Sequence, residues 1–244
     1  MQLKLKQYLR YKTGKIYDKL NNTGDDNPKT NGEYFHLQNI LEGMTFDAVI
    51  FDVGGHKGMW SKKALQIKPN SKIFVFEPIP MYQKIIDEKF SNDKRVTLVP
   101  VAVSNEDGET NMDTNTQSLY ERGSVGRDNK ESDVKVNTIS LENFIDKNKI
   151  KKIHYMKMDI EGHEVKVLSS LDNLLQKGFF DHIQFEYGGC NIDSRTYLLD
   201  FFRIFKNCPY DIFKIHQHHL EHIPTYSQSF EDFRYSNWLV KRKL

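Results

Sequence analysis

Cysteine is scarce in this 244-residue chain: Cys190 and Cys208 are the only two, which gives neither a disulfide framework nor a metal-binding spacing. No apolar run approaches the length that spans a bilayer, and the N-terminus lacks the apolar core of a signal peptide. The expectation is a reduced, cytoplasmic compartment. An excess of one charge is missing too, since 35 basic and 33 acidic residues leave a net +2. That balance, with no interleaving of aromatic and basic residues, gives no support for a nucleic-acid partner. What is present is 38% apolar residues, enough for one sizeable core or a core with a small appendage.

The most informative stretch joins Ala48-Val49-Ile50-Phe51 to Asp52-Val53-Gly54-Gly55-His56-Lys57-Gly58. It reads as a buried strand entering a tight glycine loop, with helical character resuming from Trp60 to Ile67. Such a loop lets a ligand approach the backbone, and the helix start beyond it offers unpaired amides to an anion. A second strand, Lys72 to Phe76, ends in Glu77-Pro78, where an acid is placed to hold a ribose diol. A dinucleotide fingerprint needs glycines at the first, third and sixth positions, and His56 occupies the third. What stands here is Asp-x-Gly-x-x-x-Gly, the pattern of S-adenosylmethionine methyltransferases, in which Asp52 and the loop face the methionine end of the cofactor and Glu77 the ribose.

Further motifs follow in order: Val101-Ala102-Val103-Ser104, Gly108, Thr138-Ile139-Ser140-Leu141-Glu142-Asn143-Phe144, and Lys157-Met158-Asp159-Ile160-Glu161-Gly162-His163-Glu164. Over roughly residues 46–240 the chain resembles the FkbM family of S-adenosylmethionine-dependent O-methyltransferases. The Lys-x-Asp-x-Glu-Gly-x-Glu string is the most specific part. His56 stands where the family more often has Asn, and Glu142 where it has Asp. The resemblance implies a cofactor site at Asp52, Gly54, Gly55, His56, Gly58, Glu77, Pro78, Ala102 and Val103. It also implies a hydroxyl acceptor, foremost on a sugar of a glycan or glycan precursor. The rivals are a small-molecule or natural-product acceptor, RNA methylation, and a scaffold that has lost catalysis.

Methyl transfer to a hydroxyl needs the acceptor oxygen held near the methyl and help in removing its proton. Lys157, Asp159, Glu161 and His163 surround the end of the fourth core strand, and period-two alternation puts the first three on one face. Asp159 is the candidate base or metal ligand. With Glu161 and Glu186 it makes an oxygen-rich set suited to magnesium. In the plainer alternative Glu161 caps the following helix and His163 is an exposed residue at its start. The histidines 216, 218, 219 and 222 lack the spacing of a zinc site and read as a loop.

Strands alternating with helices predict an α/β fold: a Rossmann-like doubly wound sheet of class I type, mostly parallel, closed by an antiparallel pair at Asp211–Ile215 and Trp238–Val240. Residues 1–45 read as an N-terminal helical segment or lid, and 46–244 as the catalytic domain. Met1 to Leu20 is basic and amphipathic, which suits packing on the domain or on a second copy in a homo-oligomer, or a peripheral membrane contact. Arg95–Ser104 reads as one third strand, Glu164–Leu175 as one helix, and the polar stretch 114–133 as a functional loop.

Overall fold

A computed structural model describes residues 2–113, 118–120 and 133–243. The chain starts with α1 (Gln2–Asn21) and α2 (Glu33–Glu42), then runs β1 (Val49–Val53), α3 (Met59–Ile67), β2 (Lys72–Phe76), α4 (Pro80–Phe90) and β3 (Val96–Val99). Next come β4 (Ala102–Ser104), β5 (Gly108–Asp113), β6 (Ser118–Tyr120), β7 (Asp133–Ser140) and α5 (Leu141–Lys147). The second half holds β8 (Tyr155–Met158), α6 (Glu164–Ser169), α7 (Asp172–Gln176), β9 (His182–Tyr187), α8 (Cys190–Ser194) and α9 (Leu198–Phe205). It ends with β10 (Tyr210–Ile215), β11 (Leu220–His222) and β12 (Ser236–Arg242).

The main sheet has the order β11-β10-β12-β9-β8-β1-β2-β3. Strands β3, β2, β1, β8 and β9 pair in parallel, and β12 inserts antiparallel between β9 and β10. The order turns about β1, and β1 and β8 leave their carboxyl ends side by side where a doubly wound sheet binds ligands. Alternation along the strands feeds two cores. Phe51, Phe74, Phe76 and Met158 pack on one face with Phe144, Leu168 and Phe201. Ile50, Ile73, Val75 and Tyr155 pack on the other with Leu37 and Leu41 of α2 and Trp60 and Ala64 of α3.

The expected doubly wound sheet and its antiparallel closing strands are therefore present, with three local differences. The single third strand is two strands in different sheets, because Pro100 has no N–H to continue a ladder. Beyond it, β4 joins a second sheet of order β4-β7-β5-β6. The single helix after β8 is broken at Ser170, whose N–H and hydroxyl both turn back to the Val167 carbonyl, the local competition that disfavours serine inside helices. The histidine-rich stretch folds into a hairpin, β11 against β10. Most of the polar loop at 114–133 lies outside the described residues.

Helix α1 forms as its pattern predicts but is exposed over most of residues 4–20. Its last turn holds it: the Tyr17 hydroxyl donates to Asp232 at 2.9 Å, and Arg234 pairs with Asp18.

Candidate active site

The glycine loop is shaped by the strands it caps. Gly54 N–H and Gly55 N–H both donate to the Phe76 carbonyl at 3.0 Å, which ties the end of β1 to the end of β2. Gly54 adopts φ +88, and a Cβ there would lie 1.9 Å from the Asp159 carbonyl oxygen. His56 follows in the left-handed region at φ 47, a conformation that asparagine adopts more readily than most residues and that fits the family's usual Asn at this position. The His56 ring meets Tyr82 edge-on at 4.1 Å.

Glu77 closes the loop from the other side. Its Oε2 accepts the His56 N–H at 2.7 Å and its Oε1 the Ile79 N–H at 2.8 Å. Burial nevertheless pushes its pKa up to about 7. Two amides occupy part of the carboxylate's acceptor capacity and leave lone pairs for hydroxyls.

The cavity beside these residues, about 110 Å³, is lined by Gly54, His56, Glu77, Pro78, Ala102, Val103, Asp159 and Glu161. Phe76, Val101, Met112 and Ile160 complete its wall. Phe76, Val101 and Ile160 stand inside the motifs beside the candidate residues, whereas Met112, which arrives from the second sheet, carried no sequence signal. The structure thus brings eight of the candidate residues together in one cleft. A carboxylate at one end, apolar walls and a glycine backbone suit a nucleoside with an amino-acid tail.

Other candidates stand behind the cleft. Gly55 faces Val75 and Gly58 faces Phe90. Asp52 is fully buried, accepts the Ser61 hydroxyl at 2.6 Å on Oδ2, and leaves Oδ1 without a partner. Lys157 is buried with its Nζ donating to Asp159 Oδ2 at 2.8 Å. Burial lowers the pKa of that ammonium, but Asp159, Glu33 and Asp52 outweigh it and hold it well above the ordinary lysine value.

Glu33, at the start of α2, is the buried acid that sequence reasoning missed. An acid in a first helical turn is unremarkable locally, and nothing near it in sequence reports that it faces β8.

The carboxyls after β8 and β9 crowd one another. Burial, reinforced by Asp159, raises Glu161 to about 7. Glu186 is raised to about 10 by burial and by Asp159, Glu161 and Glu164. Glu164 is buried, its Oε1 accepts the Ile160 N–H at 2.8 Å, and its pKa is about 8. His163 lies apart: its Nε2 is 3.0 Å from Ser104 Oγ, it lines a separate cavity with Thr138 and Ser194, and burial lowers it to about 4. Among the described residues no group of three or more His, Cys, Asp or Glu side chains is arranged to hold a metal, so the expected magnesium site at Asp159 and Glu186 finds no support. Lys157 already occupies Asp159, and Glu186 holds its proton.

A doubly wound sheet with an inserted antiparallel strand, a glycine loop and an acid ending the second strand define the class I methyltransferase fold, the fold of S-adenosylmethionine-dependent enzymes. The chain belongs to the FkbM methyltransferase family, whose domain model matches residues 52–212. It is 26% identical over 161 residues to the hexuronic acid methyltransferase AglP of Haloferax volcanii, covering 64% of either chain. It is 24% identical over 154 residues to the 2-O-methyltransferase NoeI of Sinorhizobium fredii, covering 57% of this chain and 63% of that one. The match thus spans slightly less than two thirds of the length of each relative. A solved S-adenosylmethionine-dependent methyltransferase from Agrobacterium tumefaciens shares the fold alone. Its TM-score is 0.50 at 7% identity, over 91% of this chain and 64% of that one. Among the described residues no helix is long and apolar enough to cross a membrane.

Proposed function

We propose that this protein transfers a methyl group from S-adenosylmethionine to a hydroxyl of a sugar, in a glycan or glycan precursor. The observation that carries the reading is that one cleft brings Gly54, Glu77 and Asp159 together, with Lys157 paired to Asp159. One relative is named for a hexuronic acid and the other for 2-O-methylation, which favours a sugar hydroxyl as acceptor. When bound, the cofactor supplies an electrophilic methyl on a sulfonium. Every other role falls to the chain. Glu77 takes the ribose hydroxyls, the Gly54–His56 backbone passes beside the tail, and Ala102, Val103 and Met112 wall the base.

Asp159, 34% exposed at its side chain, is the group that receives the acceptor's proton. Lys157 fixes that carboxylate in place and supplies a fixed positive charge behind it. Glu186, its pKa raised to about 10, carries a proton and donates a hydrogen bond to a neighbouring acceptor hydroxyl, and Glu161, raised to about 7, stands beside Asp159. Asp52 stays behind the loop and steadies it through Ser61. His163 faces β4 and takes no part in proton transfer. With the lysine in place, transfer proceeds without a metal, so activity survives chelation.

The test is mass spectrometry of candidate sugars and glycans incubated with the cofactor, beside titration calorimetry with cofactor and demethylated product. A methyl in place of one hydroxyl hydrogen, a net gain of CH2 mapped to an oxygen, is the expected result. Absence of binding by either ligand at ~1 mM sinks the reading.

A further inference from the structure

Helix α1 carries a second interaction surface, separate from the cleft. At 100° per residue, Leu5, Leu9, Ile16 and Leu20 fall within about 60° of one another and form a stripe about 22 Å long. All four are exposed, at 57%, 52%, 59% and 73%. The residues that hold the helix to the body, Tyr17 and Asp18, lie about 90° and about 170° around it from the middle of the stripe on the same geometry. The stripe therefore points away from the protein.

The flanks are basic. Lys12 and Lys19 border the stripe on one side, Lys6 and Arg10 on the other, with Lys4 and Lys15 beyond them. The one acid of the helix, Asp18, is already paired with Arg234. Lys6–Arg10 and Lys15–Lys19 are like-charged pairs four apart, which disfavour the helix in water. Tyr8 and Tyr11 lie under the ammonium groups of Lys12 and Lys15, at 5.6 and 5.9 Å. A partner that both buries the leucines and neutralises the lysines resolves the conflict.

We infer that α1 docks in the plane of an anionic lipid bilayer, with its leucine stripe among the acyl chains and its lysines at the headgroups. A second copy of the chain is the wrong partner. Its α1 carries the same positive charge. The large apolar groove between α9 and β10, floored by Phe202, Phe205 and Ile223, carries three cations, Arg203, Lys206 and Lys243, against one acid, Asp211, and so offers a basic helix no complementary charge. The inference is independent of methyl transfer.

The test is co-sedimentation of the full chain with vesicles of phosphatidylcholine containing a quarter phosphatidylglycerol, beside vesicles of phosphatidylcholine alone. Binding to the anionic vesicles should be at least ~10-fold tighter and weaken steeply with salt. The double variant Leu9→Glu/Ile16→Glu changes only exposed side chains, so it keeps the wild-type melting temperature while vesicle binding falls by ~10-fold or more. Equal affinity for neutral vesicles, undiminished binding by the double variant, or no binding at all overturns the proposal. So does a dimer, seen by light scattering, that this variant dissociates while vesicle binding is absent.

Discussion

Lys157 and Asp159 stand two residues apart where β8 ends, joined by a 2.8 Å ion pair with the lysine buried and the carboxylate partly open. The two ends of that pair do different work. The buried end compensates Asp52 and Glu33, and the open end faces the cleft.

Asp159→Asn keeps the shape and removes the charge. Turnover should fall by about 10²-fold or more, as for loss of general-base help, with cofactor affinity little changed. Lys157→Met instead leaves Asp52 and Glu33 buried without their cation, and should cost on the order of 3 kcal/mol of stability. Denaturant unfolding beside single-turnover kinetics separates the two. Wild-type turnover in Asp159→Asn would show the carboxylate to be structural.

Alkali should loosen the protein without its cofactor. Glu77, Glu161, Glu164 and Glu186 hold pKa values of about 7, 7, 8 and 10, raised from 4.5 by burial first of all. Each binds its proton more tightly folded than unfolded. Their contribution is therefore fully present below about 4.5 and lost as pH rises through 7 and on to 10. Above pH 7 ordinary histidines are neutral in both states, so the carboxyls dominate the slope. The melting temperature should fall from pH 7 to 10, and Glu186→Gln should flatten the upper part. A flat profile in the wild type would show that these acids ionise freely.

Glu77 should also set the pH dependence of cofactor binding. Its carboxylate accepts hydroxyls best when ionised, so affinity should rise between pH 6 and 8, by up to about 10-fold. Glu77→Ala should weaken binding by about 1.5–3 kcal/mol, the scale for a hydrogen bond to a charged group. Calorimetry across that pH range checks both. A Glu77→Ala protein that binds as tightly as wild type removes this residue from the site.

Where the sequence was legible, one residue's neighbours along the chain were also its neighbours in space. The β1–loop–α3–β2 unit and the end of β8 are local, and so Gly54, Glu77 and Asp159 were readable. The start of α5 is equally local: Ser140 caps it, its hydroxyl accepting the Asn143 N–H at 3.1 Å. Glu33 was not, because its partner lies more than a hundred residues away on β8. Nor was Gln184, which sits buried in β9 between the Tyr155 hydroxyl and Asn237, at 2.7 and 3.2 Å. In the alternating strand His182–Tyr187 a glutamine on the polar face, between His182 and Glu186, reads as solvated until its cross-strand partners are known. His163 was misleading for the same reason: its place in the motif suggests the cleft, while Ser104 holds it on the other side.

The last prediction concerns the contact that joins loop and base. Asp159 donates its N–H to the Val53 carbonyl at 2.9 Å, and its own carbonyl rests on the Gly54 α-carbon. Gly54→Ala places a methyl 1.9 Å from that oxygen, at φ +88. The left-handed backbone alone costs an alanine roughly 1–2 kcal/mol. The clash is with backbone, so either the loop leaves Phe76 or the end of β8 moves by more than about 1 Å. A shift of that size at the group receiving the proton lowers turnover by about 10²-fold. The variant should therefore lose at least about 2 kcal/mol of stability and most of its activity together. Denaturant unfolding and turnover measured on one preparation decide it. If Gly54→Ala melts and turns over as wild type does, the loop and the end of β8 are not coupled, and Asp159 is positioned by Lys157 alone.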